Sequence, residues 1–326
     1  MNNIDHIFIG DNYNLFNEIY PFYVALDEDE KVFYTDDIVT EEFKGKCNIK
    51  NLLTHQPKNK KAIIYASISK HIIENMICDK YTHVKLVRMF HGITGPWSTI
   101  LDKSFVWDVV IESSELGADN WKERRPEQKV EIIGWPKGES FISNNNIFDT
   151  KIDQNAVLVE IHWAKKYSGF DEYYKILNLS GYRLTFLLHP VLFSNINHLL
   201  ERKLSPEVAM EITTFAKEKY ETAIPSLGVL PYMLGKSIMI GALSSTSLEW
   251  LLFDKPILFL TDPSSLNFGA SIKGKSLPEL IQQTLQNEPR EYKARRSELK
   301  RKLMSHFDNS FKARFNNLVN ELKRQL

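Results

Sequence analysis

Residues 238–260 read IMIGALSSTSLEWLLFDKPILFL, and the fold follows from how this stretch divides. Ile238–Ile240 is a short apolar run suited to a buried strand, and Gly241–Ser245 are small residues suited to a turn. Thr246–Phe253 has the spacing of an amphipathic helix, and Ile257–Leu260, opened by Lys255-Pro256, is a second strand. Strand, turn, helix and strand make one parallel β-α-β step. The helix of such a step starts at the carboxyl edge of the sheet, where free N–H groups and the helix dipole favour an anion such as phosphate. Ser244, Ser245, Thr246 and Ser247 offer hydroxyl donors to phosphate oxygens. Glu249, one turn into the helix, offers an acceptor to ribose hydroxyls. A second reading uses the same residues: Thr246-x-x-Glu249 also fits a capping box that only closes the helix start.

Outward from this stretch, short apolar runs alternate with helical patterns. In the first half, strands are expected at His6–Ile9, Val32–Tyr34, Ala62–Tyr65, Lys85–Phe90, Phe105–Ile111 and Val130–Ile133. Helices are expected at Tyr13–Ala25, near Ile68–Cys78 and over Glu115–Arg124. Ser143–Asp149, with three consecutive asparagines, has linker composition. A second alternating set follows, with strands at Ala156–Ile161, Tyr182–Leu188 and near Thr222–Ala223. Its helices are expected at Asp171–Leu179, within a helix-rich insert at Asn197–Lys219, near Val229–Leu234, and at Leu277–Gln286 and Tyr292–Met304. A terminal helix covers Ser310–Leu326. Alternation of this kind predicts parallel sheets covered on both faces. The expected architecture is α/β, two Rossmann-like domains facing each other across a cleft, with ligands at the carboxyl ends of the strands.

The chain of 326 residues, 43% hydrophobic and 25% charged, suits two domains of ordinary size. Its formal net charge is zero, so composition gives no pull toward nucleic acid. Cys47 and Cys78 lack metal-ligand spacing and fit free thiols in a reducing cytosol. The start MNNIDHIFIG has an acid and no base ahead of its apolar run, unlike a signal peptide. No apolar stretch approaches the roughly 20 residues of a membrane span. A cytoplasmic protein is expected. No HExxH, Walker loop, GxGxxG or cysteine cluster is present, so metal, P-loop and dinucleotide chemistry lack sequence support, and neither a metal nor a cofactor is expected.

Two histidines follow apolar strands directly and precede a chain-bending residue: His91 before Gly92, and His189 before Pro190. The carboxyl end of a strand is where side chains reach the crevice of a doubly wound domain, and histidine exchanges its proton near neutral pH. The alternative for each is a loop hydrogen bond. Of the other histidines only His162 has a setting to watch. Gly134-Trp135-Pro136-Lys137-Gly138 also follows a strand. It reads as a sharp turn between the halves, from which Lys137 could meet a phosphate.

These elements occur in a telling order: His91-Gly92, Gly134–Lys137, His189-Pro190, then Ser244, Ser245, Glu249, Lys255 and Pro256, and an Asp308…Arg314 tail. The set resembles the CDP-glycerol glycerophosphotransferase family of teichoic-acid synthesis and related capsule polymerases, which have the GT-B fold. Gly241-Ala242 stand where that family often has Thr-Asp, and ITGPW after His91-Gly92 lacks the lysine often found there.

The resemblance implies that His91 is the general base on the acceptor hydroxyl and that His189 supports the donor pyrophosphate. It places Ser244 and Ser245 at the phosphates and Glu249 near the cytidine ribose. It divides the chain into an acceptor-side domain (1–146), a nucleotide-donor domain (147–309) and a terminal helix (310–326) crossing back to the first. The implied partners are a nucleotide-activated donor, CDP-linked by preference, and a polymer or lipid-linked acceptor at the cell envelope. Separately, basic residues outnumber acidic ones from Arg290 to Leu326, a surface that suits either solvent or an anionic membrane, the second of these being a further partner. That would make the protein peripheral on the inner face of the membrane.

A CMP- or UDP-sugar glycosyltransferase of sialyl, Kdo or capsule type shares the His-Pro and Ser-Ser arrangement and is the alternative. A non-catalytic nucleotide-binding homologue is another. An epimerase is disfavoured, since the sequence shows no set of carboxylates suited to a proton shuttle at a sugar carbon.

Overall fold

Apolar runs buried on both faces pair side by side throughout the chain, and every pairing among the described residues is parallel. A computed structural model describes residues 4–9, 13–28, 31–34, 49–50, 56–66, 80–90, 107–145, 147, 149–161, 175–176, 179–188, 211, 214, 221–222, 228–260 and 266–326. The chain separates into two compact units, Met1–Ser140 with Lys302–Leu326, and Phe141–Arg301.

The first unit is built on β1 (Asp5–Ile9), β2 (Lys31–Tyr34), β3 (Ile49–Lys50), β4 (Lys61–Ala66), β5 (His83–Arg88), β6 (Val109–Glu112) and β7 (Val130–Ile132). Their order across the sheet is β3-β2-β1-β4-β5-β6-β7, the doubly wound arrangement that reverses beside β1. Ile7, Phe8, Ile63, Ile64, Tyr65 and Val87 are fully buried, as a sheet covered on both faces requires. Helix α1 (Tyr13–Ala25) and helix α2 (Glu115–Arg124) belong to this unit. Strand β5 is displaced two residues from the sequence expectation, because Met89 N–H makes the last ladder contact, to Ala66, and the chain then leaves the sheet.

Part of the stretch read as a turn is helical in the structure, together with Ser143 and Asn144 at the start of the stretch read as a linker. Pro136–Asn144 forms helix α3, with proline at its first position, where its missing N–H costs nothing. Gly134 keeps its turn role. Its φ of 107° is left-handed, and a Cβ there would lie 3.0 Å from Arg314 and 3.2 Å from the His306 carbonyl.

The second unit carries β8 (Asp153–Ile161), β9 (Arg183–Leu188), β10 (Glu221–Thr222), β11 (Lys236–Gly241), β12 (Ile257–Phe259) and β13 (Ala270–Ser271). Their order, β10-β9-β8-β11-β12-β13, repeats the first unit's pattern with the reversal beside β8. Short helix α4 (Leu230–Met233) leads into β11, and helix α5 (Ser245–Glu249) leaves it. Helix α6 (Leu277–Asn287) covers the sheet, and helix α7 (Arg290–Leu303) follows. The helix expected over Thr246–Phe253 starts one residue earlier and tightens after Glu249 into a 3₁₀ turn, Trp250–Phe253.

The last helix, α8 (Phe311–Gln325), lies in the first unit. Phe315, Leu318, Val319 and Leu322 are buried along one face. Phe315 meets Phe22 of α1 edge-on at 5.2 Å and Tyr65 of β4 at 5.6 Å. No described helix is long and apolar enough to cross a membrane.

Candidate functional site

The turn between β11 and α5 follows the carboxyl end of β11, the neighbour of β8 at the reversal of strand order. Ser244 is the N-cap of α5 in extended conformation. Its hydroxyl accepts the Ser247 N–H at 3.3 Å, while the Ser247 hydroxyl accepts the Ser244 N–H at 3.0 Å and donates to the Ser244 carbonyl at 2.8 Å. A capping box therefore exists, but it is Ser244–Ser247. The expected pairing of Thr246 with Glu249 is replaced because the N-cap lies two residues earlier, at Ser244.

This sorts the four hydroxyls. Ser247 is wholly buried and spends its hydroxyl inside the cap. Ser245 and Thr246 are half-buried on the first turn, where the N–H groups of a helix lack intrahelical acceptors. Glu249 is buried.

The far end of the unit is fastened tightly. Trp250 Nε1 donates to the Lys255 and Pro256 carbonyls, both at 3.0 Å. Lys255 Nζ donates to the Lys236 carbonyl at 2.7 Å and lies over the Trp250 and Phe253 rings. Buried Arg296 grips the Glu288 carboxylate with two nitrogens and Asp254 with a third at 3.1 Å. Asp254 ends the 3₁₀ turn in a left-handed conformation, φ 51°. The Lys255-Pro256 pair thus anchors the β-α-β step at the end opposite the hydroxyls.

Sequence reasoning missed Glu160. It sits near the carboxyl end of β8, buried, and its Oε2 accepts the Ala242 N–H at 2.9 Å. Gly241 makes room for it, since a Cβ there would lie 3.0 Å from the Glu160 Cβ and Oε2. Burial pushes the carboxyl up to about 7, against the Ala242 N–H and the Ser244 hydroxyl, which pull it down. The signal was present: one acid stands inside the apolar run AVLVEI, and a buried charge needs partners.

His91 and His189, and also His162, lie outside the described residues. Lys137 belongs to the first unit, on α3, and its Nζ pairs at 2.8 Å with the buried Glu18, which also accepts from Trp135 Nε1 at 3.2 Å. Ser244, Ser245, Thr246, Ser247 and Glu249 are brought together on one turn and helix. Among the described residues no three His, Cys, Asp or Glu side chains form a group that could hold a metal ion.

No protein-family model matches the chain, and no curated protein matches it. Solved structures do. The wall teichoic acid polymerase TagF, soaked with CDPG, matches at 11% identity and TM-score 0.60 over 98% of this chain and 89% of that one. The S. aureus MnaA–UDP complex matches at 13% identity and TM-score 0.61 over 99% and 98%. A Listeria monocytogenes protein, whose suggested activity is UDP-N-acetylglucosamine 2-epimerase, matches at 12% identity and TM-score 0.58 over 100% and 97%. Likeness at this identity establishes the fold, and the fold is GT-B, each domain an α/β unit on a parallel sheet.

Proposed function

We propose that the protein is a transferase that uses a nucleotide-diphosphate donor, CDP-glycerol or a close relative, to add a polyol phosphate to a cell-surface polymer or its lipid-linked precursor. The observation that carries this reading is the capped β11–α5 turn. It presents Ser245 and Thr246 on its first turn, with Glu249 on the helix behind them. The order of His91, Gly134–Lys137, His189, Ser244-Ser245 and Lys255-Pro256 supports it, as does likeness to a polymerase structure soaked with CDPG.

In this reading His91 removes the proton of the acceptor hydroxyl, and the oxygen attacks the phosphorus that bears the polyol. The bond from that phosphorus to the bridging oxygen breaks, and CMP leaves with the electron pair. His189, the turn N–H groups and the serine hydroxyls stabilise the leaving charge, the kind of preorganised electrostatics that carries most of such catalysis. General-base help from His91 is worth roughly 10²–10⁴-fold.

A second reading, chemistry on a UDP-sugar by transfer or epimerisation, is favoured by fold likeness of equal strength to a UDP complex. One pair of variants tests the first reading. His91→Ala should abolish transfer while leaving affinity for CDP-glycerol nearly unchanged, and His189→Ala should weaken that affinity. Loss of affinity in His91→Ala would overturn the assignment.

A further inference from the structure

Glu160 is the one buried acid that meets the backbone and a hydroxyl of the β11–α5 turn among the residues described for it, and no role above uses it. Its strand neighbours are apolar: Ile161 follows it, and Leu187 of β9 lies opposite. On the β11 side it meets the Ala242 N–H and the Ser244 hydroxyl, and a Cβ on Gly241 would come within 3.0 Å of its Oε2. The next carboxylate along this segment is the buried Glu249, on α5. His162 and His189, which follow β8 and β9, lie outside the described residues.

The Ser244 hydroxyl has one proton and two acceptor positions. One acceptor position takes the Ser247 N–H. Facing a charged Glu160, the hydroxyl must spend its proton on the carboxylate. Facing a neutral Glu160, it can accept the acid proton and turn its own proton outward. A charged carboxylate at this spot also repels a phosphate held nearby.

We propose that Glu160 is a positioning residue of the turn: charged, it keeps the Ser244 hydroxyl proton for itself, and neutral, it frees that proton for a donor phosphate. The inference rests on the donor-site reading above. It makes donor binding consume a proton, so the site works best where Glu160 is uncharged. Its raised titration, near neutrality, puts that control within reach of ordinary pH.

Two measurements on the full chain decide the matter. The first needs no ligand. With ¹³C-carboxyl glutamate and ¹⁵N labels, the Glu160 carboxyl and the Ala242 and Ser244 amides should titrate together with a midpoint near 7, and the amide response should vanish in Glu160→Gln. A midpoint in the ordinary carboxylate range, or amides that ignore it, would overturn the inference.

The second is calorimetry with CDP-glycerol and with UDP-N-acetylglucosamine, whose diphosphate diesters exchange no proton between pH 6 and 9. Wild type should bind about 10-fold more weakly at pH 8 than at pH 6, because only about a tenth of the molecules are then competent. It should take up nearly one proton at pH 8, read from buffers of different ionisation enthalpy. Glu160→Gln, which mimics the neutral acid, should bind with the pH 6 affinity at both values. Wild-type binding without proton uptake sinks the inference whether or not the variant folds, and leaves the donor reading standing. Binding of neither compound at any pH sinks the donor reading, and the amide titration still decides what Glu160 does to the turn.

Discussion

Ser247 returns to Ser244 the hydrogen bond it receives: its N–H reaches the Ser244 hydroxyl at 3.3 Å, and its own hydroxyl takes the Ser244 N–H at 3.0 Å. The start of α5 is thereby closed by two of the four hydroxyls that the sequence offers to a ligand. Ser247 spends its proton inside the cap, on the Ser244 carbonyl, while Ser245 takes no part in the cap, so stability and binding should separate between these two. Ser247→Ala should cost about 1 kcal/mol of stability, the usual cost of losing a cap, seen as a lower denaturant midpoint. Ser245→Ala should leave the midpoint unchanged and weaken a nucleoside diphosphate by about 1.5–3 kcal/mol relative to the nucleoside, as for one hydrogen bond to a charged group.

Lys137 should behave as a structural residue of the first unit. Its ammonium neutralises the buried Glu18 at 2.8 Å. Lys137→Met should destabilise the protein by about 1–3 kcal/mol, the cost of leaving a buried acceptor unpaired. Glu18→Gln in the same chain should restore part of that loss, in urea unfolding of the single and double variants. A drop in donor affinity with no loss of stability would instead place Lys137 at the phosphates.

Two buried groups should set the acid side of the stability curve. His6 of β1 is fully buried with Nδ1 3.1 Å from the Tyr65 hydroxyl, and burial lowers its pKa to about 3. The unfolded chain takes up that proton near 6.5, so this contribution is full above pH 6.5 and is lost as pH falls toward 3. Its size is ~4–5 kcal/mol. Glu160 acts with the opposite sign. Its folded carboxyl holds a proton to about 7, so stability is full below the unfolded value of about 4.3 and falls as pH rises from there to 7. Between roughly pH 4.5 and 6.5 the two slopes oppose each other. Glu160→Gln should uncover the His6 slope and His6→Phe the Glu160 slope, in denaturation midpoints measured from pH 4 to 8.

The basic C-terminal segment should bind anionic vesicles weakly. Lys302, Lys312 and Lys323 hold Asp119, Asp27 and Glu28, Arg295 holds Glu298, Arg296 holds Asp254 and Glu288, and Arg314 clamps Asp308. Cations already engaged with carboxylates add little at a lipid surface, against about 1 kcal/mol for a free one. Flotation with anionic and neutral liposomes at low salt should recover little protein in either. Strong, salt-sensitive recovery with the anionic vesicles would show that these pairs open at a membrane.

Periodicity made most of the sheets legible. Runs such as AIIY and AVLVEI, short and rich in β-branched residues, read as strands buried on both faces, and β1, β4, β8 and β11 lie where runs of this kind do. The edge strands β3 and β13, two residues each, escaped because IK and AS carry no pattern and are held only by register with a neighbour. Helix α3 escaped for another reason. Gly134, Pro136 and Gly138 read as chain breakers, yet Pro136 opens the helix and Gly138 lies against the Trp135 ring, where a Cβ would come within 2.1 Å. At the candidate site the hydroxyl turn was legible from composition. Which hydroxyls the cap consumes was not, since that depends on where α5 starts to within one residue. Glu160 acquires its meaning only when the pairing of β8 with β11 brings Ala242, 82 residues away in the chain, against it.

The account stands or falls on the donor. The direct measurement is nucleotide release by the purified chain from CDP-glycerol, CDP-ribitol, CMP-sugars and UDP-sugars, each with and without a polyol-phosphate acceptor. The account predicts acceptor-dependent release of CMP from CDP-glycerol or CDP-ribitol and none from the UDP-sugars. Turnover of a UDP-sugar with the CDP-polyols left intact would contradict it.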